Sequence, residues 1–379
     1  MNEQKTVVKN FGSTHAIWFQ QSKSFLLLEE PAFVVFQLYS GGVETEKITE
    51  ICQQKYGYLE EDISQFVDEI IQHIQYYYSP KNTNELSMKS SVSDDIQAES
   101  VFSTVNYKIG KKYITILYGS DYLKFAIHPL IAHLEVDNQG SAKYVIECFE
   151  KDNLLVTKYN GQIIEAFRPN KVEYFTGGIR QLLYNILFDR EYNDWMCMLH
   201  ASGIVSDNRA VLFSATAGSG KSTISALLKA NGYGFLGDDF IATDKNGKAY
   251  AFPAAISIKE GSIKTLSKFY PGLSEIQTVK TFIGKTVKYI PVFNISDDSA
   301  KGTPVNTFVF VKFSKTDDYV FEEVEKKEAL RLLLAETWVN PQPEIVASFF
   351  DWVESTDFYR LVYSETKQAL DVVKQVFKE

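Results

Sequence analysis

Residues 210–228 read AVLFSATAGSGKSTISALL, and within them Gly220, Lys221 and Ser222 stand between an apolar run and a stretch of helical spacing. That order suits phosphate. A tight glycine-rich turn from strand to helix aims backbone N–H groups and the positive helix end at phosphate oxygens, a lysine reaches the β- and γ-phosphates, and the next hydroxyl can ligate magnesium. The full motif is G-x-x-x-x-G-K-[ST], and Ala215 stands at its first position. This position opens the turn, where a small side chain is tolerated at negative φ. The stretch therefore reads as a loop for ATP with Mg²⁺, formed by Ala217, Gly218, Ser219, Gly220, Lys221, Ser222 and Thr223. The plainer alternative is a glycine-rich turn with no ligand.

Downstream, GFLGDDFIATD sets Asp238 and Asp239 at the end of an apolar run, one helix after the loop. A carboxylate there complements Ser222 by holding Mg²⁺ directly or through water. Neighbouring strand residues point to opposite faces, so both acids can serve only if the strand ends or bends at them. Taken in isolation, the pair would be a solvated turn. His200, ahead of a strand-like run, is either a site residue or a satisfied core histidine. Lys259, Lys285 and Lys288 are further candidates for phosphate contacts, against the ordinary role of lysines as solvated charges.

Holding these groups in place takes a framework, and 379 residues with 45% hydrophobic and 14% aromatic content can bury one, in two or three domains. A net charge of −9 with no basic block argues against nucleic acid or a membrane surface as partner. The N-terminus has no apolar signal core and no run approaches the ~20 apolar residues of a membrane span, so a cytoplasmic location is expected. Cys52, Cys148 and Cys197 are too few and too scattered for a disulfide framework or a zinc site, and read as buried small apolar side chains.

Along the chain, HAIWFQQSKSFLLLEE contains a β segment, and PAFVVFQLYS is a helix stopped by Gly41-Gly42. Two more helices follow, with Ile48, Ile51 and Cys52 on one face of the first and Ile63, Phe66, Val67, Ile70 and Ile74 on one face of the second. Residues 80–100, polar and serine-rich, read as an exposed linker. Beyond it, YITILYG, YVIECFE, LLVTKYNG and KVEYFTGG with their glycine turns predict antiparallel hairpins, and IRQLLYNILFDREYN predicts a helix. Strands at AVLFS, NTFVFVKFS and FYRLVYS and helices at EKKEALRLLLAETWV and ETKQALDVVKQVF are expected to complete an α/β core.

Two resemblances sharpen this reading. The order His200-Ala-Ser-Gly, strand, loop, helix ending in Asn231-Gly232-Tyr233, then Leu236-Gly237-Asp238-Asp239 resembles the catalytic core of the HPr kinase/phosphorylase family and its relatives, over residues 195–265. The chain departs from that family at its later Gly-Leu-Gly segment, where FPAAISIKEGS stands without matching it. The resemblance implies a fold like that of phosphoenolpyruvate carboxykinase, ATP as donor and a serine hydroxyl as acceptor. It also implies Asp238 as general base, His200 as its partner, Lys221 on the phosphates, and Asp239 with Ser222 as metal ligands. The β segment, the helix ending in Leu38-Tyr39-Ser40-Gly41-Gly42 and the helix ending at Lys55-Tyr56-Gly57 resemble the PqqD-like peptide-recognition fold. That resemblance implies capture of a leader peptide by strand addition.

The expected architecture is α/β: a small winged-helix-like domain (1–79), the linker (80–100), and a P-loop catalytic domain (101–379) whose β-rich first part (101–195) precedes a nucleotide-binding core (196–379). The expected activity is Mg-ATP-dependent phosphorylation of a serine or threonine on a peptide or small protein held by the N-terminal domain. A kinase for a small hydroxylated molecule such as free serine, and a non-catalytic nucleotide-binding peptide chaperone or regulator, are the alternatives.

Overall fold

A computed structural model describes residues 6–57, 60–80, 87–93, 95–137, 143–215, 219–281, 284–293 and 301–377. It is a mixed α/β protein with several sheets. The chain divides into two units: Met1–Asn82, Glu325–Leu333 and Val339–Ser355 form one, and Thr83–Val324, Leu334–Trp338 and Thr356–Glu379 the other.

The first unit is built on an antiparallel sheet, β1 (Thr6–Phe11), β2 (Thr14–Phe19) and β3 (Ser24–Glu29), in that order. Every residue of β2 is buried, and a strand loses its inside–outside alternation when both faces of its sheet are covered. Ile17 and Phe19 face Phe33 and Phe36 of α1 (Glu30–Ser40) and Ile74 of α3 (Glu60–Tyr78). Helix α2 (Thr45–Tyr56) adds Ile48 and Cys52 against Val35, Ile63 and Val67, and stops at Gly57, where φ of 70° suits glycine. The opposite face, with Phe11 and with Phe25 paired to Trp18, is covered from far along the chain. There Phe350, in the helix Pro343–Ser355, meets Phe11 and Phe25 edge-on, with ring centroids 6.0 and 5.9 Å apart. Lys9 binds Asp351 at 2.9 Å and also pairs with Glu354. That helix, which the sequence pattern did not single out, and residues 325–333 therefore belong with the N-terminal sheet and not with the α/β core they were expected to complete.

The second unit begins with a five-stranded sheet of β4 (Ser103–Ile109), β5 (Lys112–Tyr118), β6 (Tyr144–Lys151), β7 (Leu154–Tyr159) and β8 (Gln162–Phe167) in sequence order. Two expectations fail here. The pair β5–β6 is parallel, because α4 (Asp121–Ile131) carries the chain back across the sheet. KVEYFTGG is not a strand but the first half of α5 (Val172–Phe188), whose buried Phe175, Ile179, Leu182, Leu183 and Ile186 keep helical spacing. The segment read as an exposed linker is also different where it is described. Met88, Val92, Ile96 and Ala98 pack on Phe149, Val156, Ile163 and Ala166, and the Met88 N–H donates to the Ala166 carbonyl at 2.7 Å. A few apolar residues spaced through a polar stretch are enough to dock it on a sheet face.

The larger, ten-stranded sheet runs β12 (Gly234–Gly237), β10 (Ser202–Ser206), β11 (Arg209–Ser214), β18 (Thr303–Phe313), β14 (Lys248–Tyr250), β13 (Ile241–Asp244), β9 (Trp195–Leu199) and β20 (Thr337–Val339), with β21 (Asp357–Tyr363) beside β18 and β19 (Val320–Glu323) beside β21. The parallel pairings of β11 and β21 with β18 make its centre, where near-continuous apolar runs are buried on both faces. Helices α6 (Lys221–Ala230) and α10 (Thr366–Phe377) cover this centre, joined by a three-stranded sheet of β15 (Ile256–Lys259), β17 (Thr286–Ile290) and β16 (Val279–Lys280) and by α7 (Glu260–Leu266). α8 (Lys326–Ala335) and α9, the helix Pro343–Ser355, complete the elements.

Candidate functional site

Strand β11 ends at Ser214 and α6 begins at Lys221, so the loop expected to hold phosphate joins a central strand to a helix N-terminus. Of its expected residues, Ala217 and Gly218 lie outside the described residues, as does Thr216. Ala215 is not among the residues of positive φ, so the backbone there has the sign an alanine accepts. Gly220 caps α6 at φ 101°, and a Cβ on it would stand 2.9 Å from the Tyr363 hydroxyl and 3.2 Å from Phe313 Cβ. The Ser219 carbonyl accepts a 2.9 Å bond from the Phe313 N–H at the end of β18, and the Thr223 hydroxyl meets that of Ser262 at 2.6 Å. The loop's exit is thus tied to the sheet and to α7.

Strand β12 stops at Gly237, and the chain turns through Asp239 in the left-handed region, φ 69°. This is the bend that lets adjacent acids face one space. A non-glycine residue held there costs of order 1–3 kcal/mol, and such strain clusters at functional sites. Asp239 Oδ1 lies 2.6 Å from His200 Nε2 and 3.4 Å from Lys221 Nζ, and its Oδ2 is 3.4 Å from an Arg180 guanidinium nitrogen. Burial pushes its carboxyl upward, but the His200 bond and the Arg180 and Lys221 charges outweigh burial and hold it well below the ordinary range. Lys221 Nζ also donates to the His200 carbonyl at 3.3 Å. His200 Nδ1 is 2.9 Å from Glu336 Oε2, while the His200 N–H donates to the Glu336 carbonyl at 2.9 Å, fixing the ring beside β20.

Asp238 behaves differently. It is 6% exposed; one oxygen accepts a 3.3 Å bond from the Ser257 N–H, and Oδ1 is buried with no hydrogen-bond partner. Burial and the neighbouring Asp239 charge push its carboxyl up to about 6, while Lys221 and the nearby Ser222 hydroxyl hold it back. The resemblance paired His200 with Asp238 and Ser222 with Asp239. The structure brings His200 to Asp239 and Ser222 to Asp238.

Among the lysines, Lys288 is spent elsewhere: its ammonium donates to the carbonyls of Leu273, Ser274 and Ile276 at 2.9, 3.0 and 2.5 Å, which closes a turn and leaves it no part in binding phosphate. Lys259 stands near the site, where burial and the charge of Lys285 hold its amine below the ordinary lysine range and Asp239, Lys221 and Asp238 act on it. Sequence reasoning missed Arg180 and Glu336. Arg180 had a signal, since it is the one charged residue among Thr176, Ile179 and Leu183 on an apolar helical face. Glu336 had none; only the pairing of β20 beside β9 delivers it.

An orphaned, buried carboxylate oxygen beside a serine hydroxyl fits a hard cation such as Mg²⁺, which uses one or two protein oxygens alongside phosphate. Among the described residues no group of three His, Cys, Asp or Glu forms a protein-only metal site, and no helix is long and apolar enough to cross a membrane.

No family model matches this sequence. No curated protein matches it. Among solved structures, the HPr(Ser) kinase/phosphatase from Coxiella burnetii is similar at 12% identity, over 48% of this chain and 94% of that one, with a TM-score of 0.21. So loose a superposition carries no argument about this site, which rests on its own geometry.

Proposed function

We propose that this chain is a Mg-ATP-dependent kinase that phosphorylates a serine or threonine hydroxyl of a peptide or small protein, with the N-terminal unit holding the substrate. The observation that carries the reading is the convergence of Lys221, His200 and Arg180 on Asp239, next in the chain to the orphaned oxygen of Asp238, with Lys221 opening a helix entered through a left-handed glycine.

In this reading the backbone before α6 and Lys221 cradle the phosphates, and Lys221 gives up its long bonds to His200 and Asp239 to do so. Ser222 and Asp238 would hold Mg²⁺, which would supply charge neutralisation at the phosphates. Asp239, whose side chain keeps 43% of its surface open, receives the acceptor's proton, oriented by His200 and beyond it Glu336. The acceptor oxygen then forms its bond to phosphorus as the bond to the ADP oxygen breaks. The two acids thus exchange the roles that resemblance implied. Arg180 and Lys259 balance the developing charge from opposite elements. Catalysis of this kind is mostly positioning and electrostatics.

The N-terminal unit supports a peptide substrate because β3 pairs only with β2 among the described strands, which leaves an edge for an added strand. The test is nucleotide linkage followed by transfer. Mg-ATP should raise the melting temperature of the full chain, Lys221→Ala should abolish the rise, and γ-labelled ATP should label a peptide encoded beside the gene. No Mg-ATP shift in the wild type would sink the kinase.

A further inference from the structure

The acids do not face open solvent alone. They form one end of a cleft whose other walls are apolar: Ile127 and Leu130 of α4, Ile179 and Leu183 of α5, and Phe240 and Phe252. Both helices present the cleft with residues at helical spacing, Ala126, Ile127, Leu130 and Ile131 on one and Thr176, Ile179, Arg180 and Leu183 on the other. A core could have been closed here by larger side chains. Instead Ala126 and Ala254 leave room, and the polar end carries the buried, unpartnered Oδ1 of Asp238 beside Asp239 and Arg180.

Such a pocket selects by what it can desolvate. A charged or amide group pushed against Ile127 and Leu183 would lose its water without a partner, whereas an aliphatic group gains the free energy of burial. Size narrows the choice. The room inside is about 30 Å³, the share of a single water, which admits one methyl at the tip of a branched aliphatic side chain and not a ring. The hydroxyl to be phosphorylated must reach Asp239, so the aliphatic group has to sit within a residue of it.

We infer that the cleft between α4 and α5 binds a small aliphatic side chain adjacent to the acceptor hydroxyl, so that this protein selects serine or threonine flanked by valine-like residues. The inference rests on the phosphoryl-transfer reading of Asp239, but the cleft can be tested without nucleotide.

The experiment is saturation-transfer NMR on the full chain with the blocked dipeptides acetyl-Ser-Val-amide, acetyl-Ser-Gly-amide and acetyl-Ser-Trp-amide. Burial of a valine methyl should make the Val probe bind about fourfold tighter than the Gly probe, with strong saturation of its methyl groups. The Trp probe should gain nothing over Gly. Ala126→Phe, which fills the cleft from α4, should remove the preference for Val, and Ala254→Phe, from the opposite wall, should do the same. Thermal unfolding identifies any variant that does not fold, and the wild-type ratios decide the matter even then. Equal binding of Val and Gly, binding of Trp as tight as Val, or a Val preference untouched in both folded variants would overturn the inference. So would displacement of the Val probe by adenosine, since the cleft would then hold the nucleoside. A Val preference in a protein that shows no Mg-ATP thermal shift would uphold the cleft and reject the kinase.

Discussion

His200 Nε2 stands 2.6 Å from Asp239 Oδ1, and neither a hydrogen bond nor an ion pair joins it to Asp238, the adjacent residue. One peptide unit therefore separates an acid held ionised by three nitrogen partners from an acid that burial drives toward its protonated form. Two titratable groups with environments that push them apart are how a site divides labour.

Their amides should fail differently. Asp238→Asn, which removes the orphaned oxyanion beside Ser222, should weaken Mg-dependent nucleotide binding, read as loss of most of the metal-dependent thermal shift. Asp239→Asn should retain that shift while transfer falls by about 10²–10⁴-fold, the usual contribution of a positioned base. The reverse pattern would restore the assignment that the sequence resemblance implied.

Lys288 offers a control on the lysines. Replacing it with methionine leaves the carbonyls of Leu273, Ser274 and Ile276 without their charged donor, which should cost about 1.5–3 kcal/mol in urea unfolding. The Mg-ATP shift should survive. Its loss at full stability would place Lys288 on phosphate after all.

Glu165 lies against Gly178 in α5, where a Cβ would come 1.7 Å from its carboxylate oxygen, and burial pushes this carboxyl from 4.5 up to about 7. The folded protein holds that proton more tightly than the unfolded chain, so this group's contribution to stability falls as pH rises from about 4.5 to about 7, and then levels off. Glu165→Gln should flatten this part of the pH profile of the melting temperature. Gly178→Ala should destabilise by about 1–3 kcal/mol through overpacking, and Glu165→Ala in the same chain should recover much of the loss. Additive effects of the two changes would argue against the contact.

The first unit needs its distant helix. Phe350, 1% exposed against Phe11 and Phe25, should cost about 3–5 kcal/mol when truncated to alanine. Removing residues 1–79 should do worse, baring Phe350 to solvent, so the truncated chain is expected to aggregate in light scattering. A soluble, monomeric truncation would show that α9 does not depend on this sheet.

The strand and helix that flank the loop were legible because their signals are local. Gly220, Lys221 and Ser222 are consecutive, the apolar run before them and the helical spacing after them state the strand and helix, and the backbone at Ala215 has the sign its methyl group demands. The N-terminal helices were legible for the same reason, since a helix declares its buried face within four residues. Contacts between remote segments decided the rest. No local pattern says that KVEYFTGG continues into α5, because its aromatic and β-branched residues suit a strand until the packing of Phe175 and Ile179 settles the matter. Nor can an amphipathic pattern such as that of α9 name the sheet it will cover, since the hydrophobic effect is not directional. The site shows the same division. Sequence placed two acids side by side, but which one meets His200 depends on a left-handed turn at Asp239, on Arg180 from α5 and on Glu336 carried in by β20, groups that are 59 and 136 positions from their partners and meet only once the chain has folded.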